Sequence, residues 1–448
     1  TLFLMASQRA LLAASSSSQA SVSRMAGRLR TLSTSASPCS ACSDVPQSFW
    51  LNGEAPAPGF GLNNLPFGVF SIKNGAAKST EKKSKRICTR LGDTIVDLSV
   101  LAQNGHLPET LASDRLNGFL AAGRSVWSET RQRLQDLLVQ ERGDNSMREV
   151  MHRLDEVDLH LPFQVSAFSD FYASPFHARV RQFPAWWHQP LGYNGRANSV
   201  IVSGQPVRRP MGQFLNEHNE PVFEASRAID FEMEMGIVVG GPGNALGDRL
   251  SLEGANDHIF GYTLLNDWSA RDIQGWEMAP LGPFLAKSFA TSISPWIVTA
   301  DALEAFRIEG AAQDPKPLPY LRHEGGSIPS LDISLETWIK PEGEESQVVC
   351  KSNFKHVYWS AAQLIAYHSS NGCPLQAGDL LGTGTISGPD DFARGCMAEW
   401  RRTGQMLGDR GFLLDNDIVT MRGLCSTPTV PYKISFGECS AQLLPAKP

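Results

Sequence analysis

Three short segments carry residue types that could do chemistry. In Ala228-Ile229-Asp230-Phe231-Glu232-Met233-Glu234-Met235-Gly236, strand alternation would send Asp230, Glu232 and Glu234 to one face and Phe231, Met233 and Met235 to the other. Carboxylates that close repel one another unless a cation or buried bases neutralise them. A hard divalent ion with oxygen ligands is the natural partner; the alternative is a solvent-facing acidic edge. The second segment ends Asn266-Asp267-Trp268-Ser269-Ala270-Arg271-Asp272-Ile273-Gln274. A strand ending at Asp267, then a helical turn capped by Ser269, would put Arg271 and Gln274 on one helix face. A carboxylate, a guanidinium and an amide would then point to one place; the alternative is a capped helix with a local Asp–Arg pair. The third segment, Ser169-Asp170-Phe171-Tyr172-Ala173-Ser174-Pro175-Phe176-His177, reads as a helix start with Ser174 as cap and Pro175 in the first position. His177 would sit at the positive end of that helix as a neutral proton acceptor; the alternative is a surface histidine.

These segments need a frame. At 448 residues and 42% apolar composition the chain can bury more than one core. The first folded unit opens at Asn64-Leu65-Pro66-Phe67-Gly68-Val69-Phe70-Ser71. A strand follows, then a polar insert from Lys78 to Arg86, then a strand pair around Ile87 and over residues 94–98, and residues 109–141 read as helix. From about His160 the texture changes to short β-rich runs between Gly/Pro turns, at residues 199–203, 230–239, 258–266, 296–300, 333–339, 380–382 and 418–423. This pattern predicts an α+β, mainly β chain whose second domain is a β-roll or barrel-like unit. Gly241-Pro242-Gly243 followed by Gly247 lacks dinucleotide-binding spacing and reads as a tight turn.

The net charge of −6 gives no reason to expect a nucleic-acid or anionic-membrane partner, and no stretch has the length of a membrane span. Eight cysteines are scattered, with only Cys39 and Cys42 in CxxC spacing; they read as thiols in a reducing compartment. Residues 1–45 stand apart. Arg9, Arg24, Arg28 and Arg30 lie among many serines, and no acidic residue precedes Asp44. That is the composition of an organellar transit peptide, so a mitochondrial location is expected, with a disordered tail on a cytoplasmic protein as the alternative.

Taken together and in this order, the segments resemble the fumarylacetoacetase family. The resemblance also rests on Pro280-Leu281-Gly282-Pro283-Phe284 with Lys287-Ser288-Phe289, on Gly384-Thr385-Ile386-Ser387-Gly388, on Arg208-Arg209-Pro210-Met211-Gly212-Gln213 and on Ser435-Phe436-Gly437-Glu438-Cys439. It implies a small SH3-like N-terminal barrel (residues 60–159), a β-roll catalytic domain (residues 160–448), a homodimer, and hydrolysis of a carbon–carbon bond in the β-diketone acid 4-fumarylacetoacetate, a step of tyrosine and phenylalanine catabolism. Another β-keto acid substrate, or a non-catalytic paralogue, are the competing readings. Carried over by position, Asp170, Glu232, Glu234 and Asp267 would hold a divalent cation, Ca2+ or Mg2+, with a second ion near Asp267, Lys287 and Thr291. His177 would be the general base, oriented by Glu399. Arg271, Gln274 and Lys287 would stabilise an oxyanion, and Tyr172, Tyr193 and Thr385 would touch substrate. Two departures stand out. Residues 178–191 are shorter than the family's loop and lack its substrate-binding arginine, for which Arg179 or Arg181 could substitute. Met278 stands where the family has a tyrosine, and it cannot donate that hydrogen bond.

Overall fold

The structure, a computed structural model, describes residues 58–73, 84–140, 145–178, 183–325, 327–404, 407–408 and 410–447. The leader, the Cys39/Cys42 pair, most of the insert between Lys78 and Arg86, and both Arg179 and Arg181 lie outside the described residues.

The N-terminal part is a five-stranded antiparallel sheet built from β1 (Phe67–Ile72), β2 (Arg86–Leu91), β3 (Thr94–Asp97), β4 (Met151–Arg153) and β5 (Val157–His160), in the order β4-β3-β2-β1-β5. Gly92 and Asp93 close a two-residue hairpin in which Leu91 faces Thr94; Gly92, at φ 61°, supplies the positive φ such a turn needs. Asp97 then starts α1 (Leu98–Gln103). Its carboxylate accepts from the N–H groups of Ser99 and Val100 and pairs with Arg86 at 2.9 Å. The helix expected over residues 109–141 is broken. A short turn of helix, Asn117–Ala121, precedes α2 (Arg124–Gln140), and Gly123, at φ 89°, is the break.

The remainder is mainly β, as its sequence pattern implied. Its principal strands are β6 (Phe168–Phe171), β7 (Gly192–Asn194), β8 (Val200–Val202), β9 (Met233–Val239), β10 (Ile259–Asp267), β11 (Thr291–Ile293), β12 (Ser334–Lys340), β13 (Gln347–Asn353), β14 (Leu380–Gly382), β15 (Ile418–Cys425) and β16 (Ile434–Leu444). One sheet runs β7-β6-β14-β9-β10-β11-β8, with Val298–Thr299 added beside β10. A second runs β13-β12-β15-β16 and ends on the short strand Val207–Arg208.

Side-chain alternation divides the first sheet between two cores. Met233, Met235, Ile237 and Val239 of β9 enter the larger one with Phe231. Val238 of β9 and Leu265 of β10 face the other way and pack with the N-terminal part. Phe260 sits at that junction, edge-on to Phe67, Phe119 and Trp127 at centroid distances of 5.6, 5.9 and 5.1 Å. The main chain joins the two parts as well, since Phe67 and Ile297 exchange both N–H···O bonds at 2.9 Å. The sheets therefore share one interior rather than touching across a wet interface. Phe260→Ala is expected to cost about 3–5 kcal/mol, as for other buried Phe truncations. Chemical denaturation followed by tryptophan fluorescence and by far-UV circular dichroism should still show one coincident transition; separate transitions would mean independent units.

Candidate active site

One end of the first sheet collects the acidic residues. Asp170 is near the end of β6, Gly382 ends β14 beside it in parallel register, Glu234 is the second residue of β9, and Asp267 is the last of β10. Glu232 lies just before β9. Asp170, Glu232, Glu234 and Asp267 are all buried, and each offers an oxygen within 4.8 Å of the others. The strand reading of this segment holds for Glu232 and Glu234, which point away from the core side of Phe231, Met233 and Met235. Asp230 turns out to be separate. Its carboxylate accepts from the N–H groups of Met397 and Ala398 at 2.8 and 2.9 Å, at the start of a helix, α3 (Met397–Thr403), and it pairs with Arg271.

Two cations face the acidic group. Lys287 Nζ donates to Glu232 Oε2 and Asp267 Oδ2. Arg271 bridges Asp230 and Glu232 at 2.8 Å each and donates from Nη1 to Gln274 Oε1 at 3.0 Å. Arg271 and Gln274 thus share a face of the helix Arg271–Glu277, as expected from their spacing. That helix is not capped by Ser269, whose hydroxyl donates instead to the Asp267 carbonyl. Burial works against the charge of Glu232, but Lys287, Arg271 and His177 hold it well below the usual carboxylate range. Burial and then Asp267 push Asp170 well above that range; burial and then Asp170 do the same to Glu234. Burial also opposes the Lys287 ammonium, yet Asp267 and Glu232 hold it above its ordinary value. A protonated amine has no lone pair, so only the Lys287 carbonyl could serve an ion beside Asp267 and Thr291, whose hydroxyl lies 3.4 Å from Asp267 Oδ1.

Two carboxylates thus remain without a cationic partner. The Gly384 N–H donates to Asp170 Oδ1 and Glu234 Oε2 at 3.1 and 2.9 Å. Glu234 Oε1 is buried with no hydrogen-bond partner. A Cβ on Gly382 would stand 2.5 Å from Asp170 Oδ1 and 2.9 Å from Glu234 Oε2, so the glycine keeps the carboxylates close. An orphaned buried oxygen among four hard donors fits a divalent cation.

His177 sits beside this group. The helix expected from Ser174-Pro175 is, among the described residues, a single turn over 175–178, and Ser174 Oγ donates to the Ser387 carbonyl rather than capping it. A helix dipole therefore does not act on His177. Its surroundings are instead two carboxylates, Glu399 Oε2 at 3.4 Å from Nδ1 and Glu232 Oε1 at 3.8 Å from Nε2. It is 7% exposed, so it is not a surface histidine. Ser387 Oγ donates to Glu399 Oε2. Tyr172 packs edge-on to the imidazole at 4.9 Å and donates from its hydroxyl to the His177 carbonyl at 3.2 Å. Tyr193 donates to Asp267 Oδ2 at 2.8 Å, and burial, then the Asp267 charge, push its phenol well above its usual range. Thr385 is buried nearby on the 384–388 segment with its hydroxyl unpaired. Met278 is exposed at the C-terminal end of the Arg271–Glu277 helix. The sequence segments alone did not single out Gly382, Ser387 or Cys396; only the glycines of the strand end and of Gly384-Thr385-Ile386-Ser387-Gly388 hinted at a close approach.

A two-part, mainly β chain with four buried carboxylates beside a histidine–glutamate pair has the make-up of a metal-dependent hydrolase. Comparison with known proteins agrees. Residues 166–442 match the family described as fumarylacetoacetate (FAA) hydrolase C-terminal, and residues 63–162 match fumarylacetoacetase N-terminal. The chain belongs to the fumarylacetoacetase family. It is 43% identical to fumarylacetoacetase of Bos taurus over 417 residues, covering 86% of this chain and 96% of that one. It is 42% identical to fumarylacetoacetase of Homo sapiens over 416 residues, with the same coverage of each. Among solved structures, maleylpyruvate hydrolase from a Sphingobium species shares the fold at a TM-score of 0.50 and 16% identity, covering 85% of this chain and all of that one.

The raised carboxyls make a signed prediction. With their ordinary values near 4, Asp170 and Glu234 keep protons above that pH when no ion is present, and an ion must displace them. Affinity for Mg2+ or Ca2+ should therefore rise as pH rises from about 5 to 8, and calorimetry in two buffers of different ionisation enthalpy should register proton release. An affinity flat across that window would show both groups already ionised.

Proposed function

We propose that this chain hydrolyses 4-fumarylacetoacetate to fumarate and acetoacetate, within tyrosine and phenylalanine catabolism. The observation that carries the reading is the buried tetrad Asp170, Glu232, Glu234 and Asp267, set beside His177–Glu399 in a chain of this family. The tetrad suits Mg2+ or Ca2+, since all its donors are hard oxygens. A cation held there would polarise the diketone oxygens. Glu399, fixed by Ser387, stands 3.4 Å from Nδ1 of His177 and favours the ring proton on that nitrogen, which leaves Nε2 to take a proton from water. The water oxygen bonds to the carbonyl carbon, and the carbon–carbon bond then breaks with its electron pair leaving on the acetoacetate carbon, which takes the proton held on His177 Nε2 and so returns the ring to its neutral form. Negative charge on the attacked oxygen meets Arg271, Lys287 and Gln274. Because Gln274 Oε1 already accepts from Arg271, its amide N–H2 is the end left to donate. Tyr172, Tyr193 and Thr385 line the substrate's path. The short 178–191 segment and Met278 weaken substrate anchoring rather than chemistry. The working form is a homodimer.

Purified protein supplied with Mg2+ or Ca2+ should bleach the diketone absorbance of 4-fumarylacetoacetate and release acetoacetate. Thorough chelation should stop it. His177→Ala should lower turnover by about 10²–10⁴-fold, the usual range for general acid–base catalysis, with little change in metal affinity. Turnover of a different β-keto acid in preference, or near-normal turnover of the His177 variant, would overturn the reading.

We also propose a mitochondrial location directed by residues 1–45, from their Arg- and Ser-rich composition with no acidic residue before Asp44. A fluorescent reporter carrying those residues should colocalise with mitochondria; uniform cytosolic fluorescence would remove the proposal.

A further inference from the structure

Cys396 is a group at this site that the chemistry above leaves unused. It is fully buried at the N-terminal boundary of α3. Its Sγ lies 3.9 Å from His177 Nδ1 and 3.7 Å from Glu399 Oε2, and those two atoms are 3.4 Å apart. A nitrogen, a sulfur and a carboxylate oxygen therefore form a small triangle. Around a tetrahedral zinc ion, with Zn–S about 2.3 Å and Zn–N or Zn–O about 2.0–2.2 Å, such donors stand roughly 3.3–3.6 Å apart. Each side of the triangle is within a few tenths of an ångström of that.

We infer that His177, Cys396 and Glu399 form a second metal site, selective for a thiophilic divalent ion such as zinc, and that its occupation switches the enzyme off. The proposal rests on His177 being the base. The two sites differ in donor type: the tetrad offers only hard oxygens, whereas this one offers nitrogen, sulfur and one oxygen, a set that suits zinc or cadmium over Mg2+ or Ca2+. Three protein ligands leave the fourth corner to water. The outer partners also suit a metal site. Histidine ligands commonly give their other ring N–H to a carboxylate, and Glu232 Oε1 stands 3.8 Å from Nε2. Ser387, itself held by the Gly395 N–H at 3.0 Å, donates to Glu399.

Inhibition follows from the tautomer. As a base, His177 keeps its proton on Nδ1 and accepts at Nε2. With an ion on Nδ1, the neutral ring carries its proton on Nε2, facing Glu232, and has no lone pair for water. Glu399 is removed from its orienting role in the same event, and the thiol proton goes to solvent.

The test uses the full-length protein saturated with Mg2+. Addition of cadmium should produce one equivalent of the ultraviolet thiolate-to-cadmium charge-transfer band, and zinc should remove activity in a way that excess Mg2+ does not restore. Cys396→Ala, with Cys396→Ser as a second variant should the first fail to fold, should lose the band while retaining turnover without zinc. The zinc concentration for half inhibition should rise by more than the 10–100-fold typical of losing an outer partner. Cys373→Ser, at the partly exposed thiol, should keep both band and inhibition. A band that survives in the Cys396 variants, or inhibition relieved by excess Mg2+, would overturn the site. Because the band is read without substrate, it stands or falls separately from the assigned reaction; a band without zinc inhibition would overturn the switch.

Discussion

Crowding of like charge at the end of the first sheet is the constraint on which the rest of this structure depends. Four carboxylates share a volume from which water is excluded, and any two of them unpaired would repel strongly at that distance. The fold meets this with fixed charges: Lys287 between Glu232 and Asp267, Arg271 between Asp230 and Glu232, and the Gly384 amide across Asp170 and Glu234. Asp170 and Glu234 are left without a cationic partner, and the Oε1 of Glu234 without any hydrogen bond, which is the electrostatic reason the tetrad calls for an ion.

Those cations must themselves be held, and the surrounding loops do so. The Glu277 carboxylate accepts from the N–H groups of Phe284, Leu285 and Ala286, which fastens the segment that delivers Lys287. Asp230 ties Arg271 to the first turn of α3, the helix that carries Glu399. Glu399 and the acidic tetrad are thus linked through the Asp230–Arg271 ion pair as well as through His177. Substitutions at Asp230 would disturb both, although its carboxylate is not one of the four in the tetrad.

Among its described residues the N-terminal part places no side chain in the tetrad, yet it is not a bystander. Its core is continuous with the face of the catalytic sheet on which Glu234 and Asp267 lie, through Phe67, Phe119, Trp127 and Phe260. By burying that face it gives β9 and β10 a rigid, dry backing, so that the acidic side chains at their ends keep their spacing.

The chain's local patterns carried a large share of this. Strand alternation separated Glu232 and Glu234 from Phe231, Met233 and Met235, because period-two geometry is a property of the segment alone. Three-residue spacing put Arg271 beside Gln274 for the same kind of reason. Motif order brought in Asp170, His177, Asp267, Lys287 and Glu399. Local pattern failed where long-range partners compete for the same groups. Asp230 left the acidic row because the backbone N–H groups of Met397 and Ala398 and the Arg271 guanidinium claimed it. Ser174 and Ser269 gave up helix capping for carbonyl partners, one of them 213 residues away. His177 came under two carboxylates instead of a helix dipole. The place of Cys396 between His177 and Glu399 had no local signal at all. Which residues could bear charge, bind an ion or move a proton was set by residue type and spacing; which of them meet, and with what neutralised, was decided only when distant strands closed on one buried volume, since desolvation and pairing are properties of that volume and not of any segment.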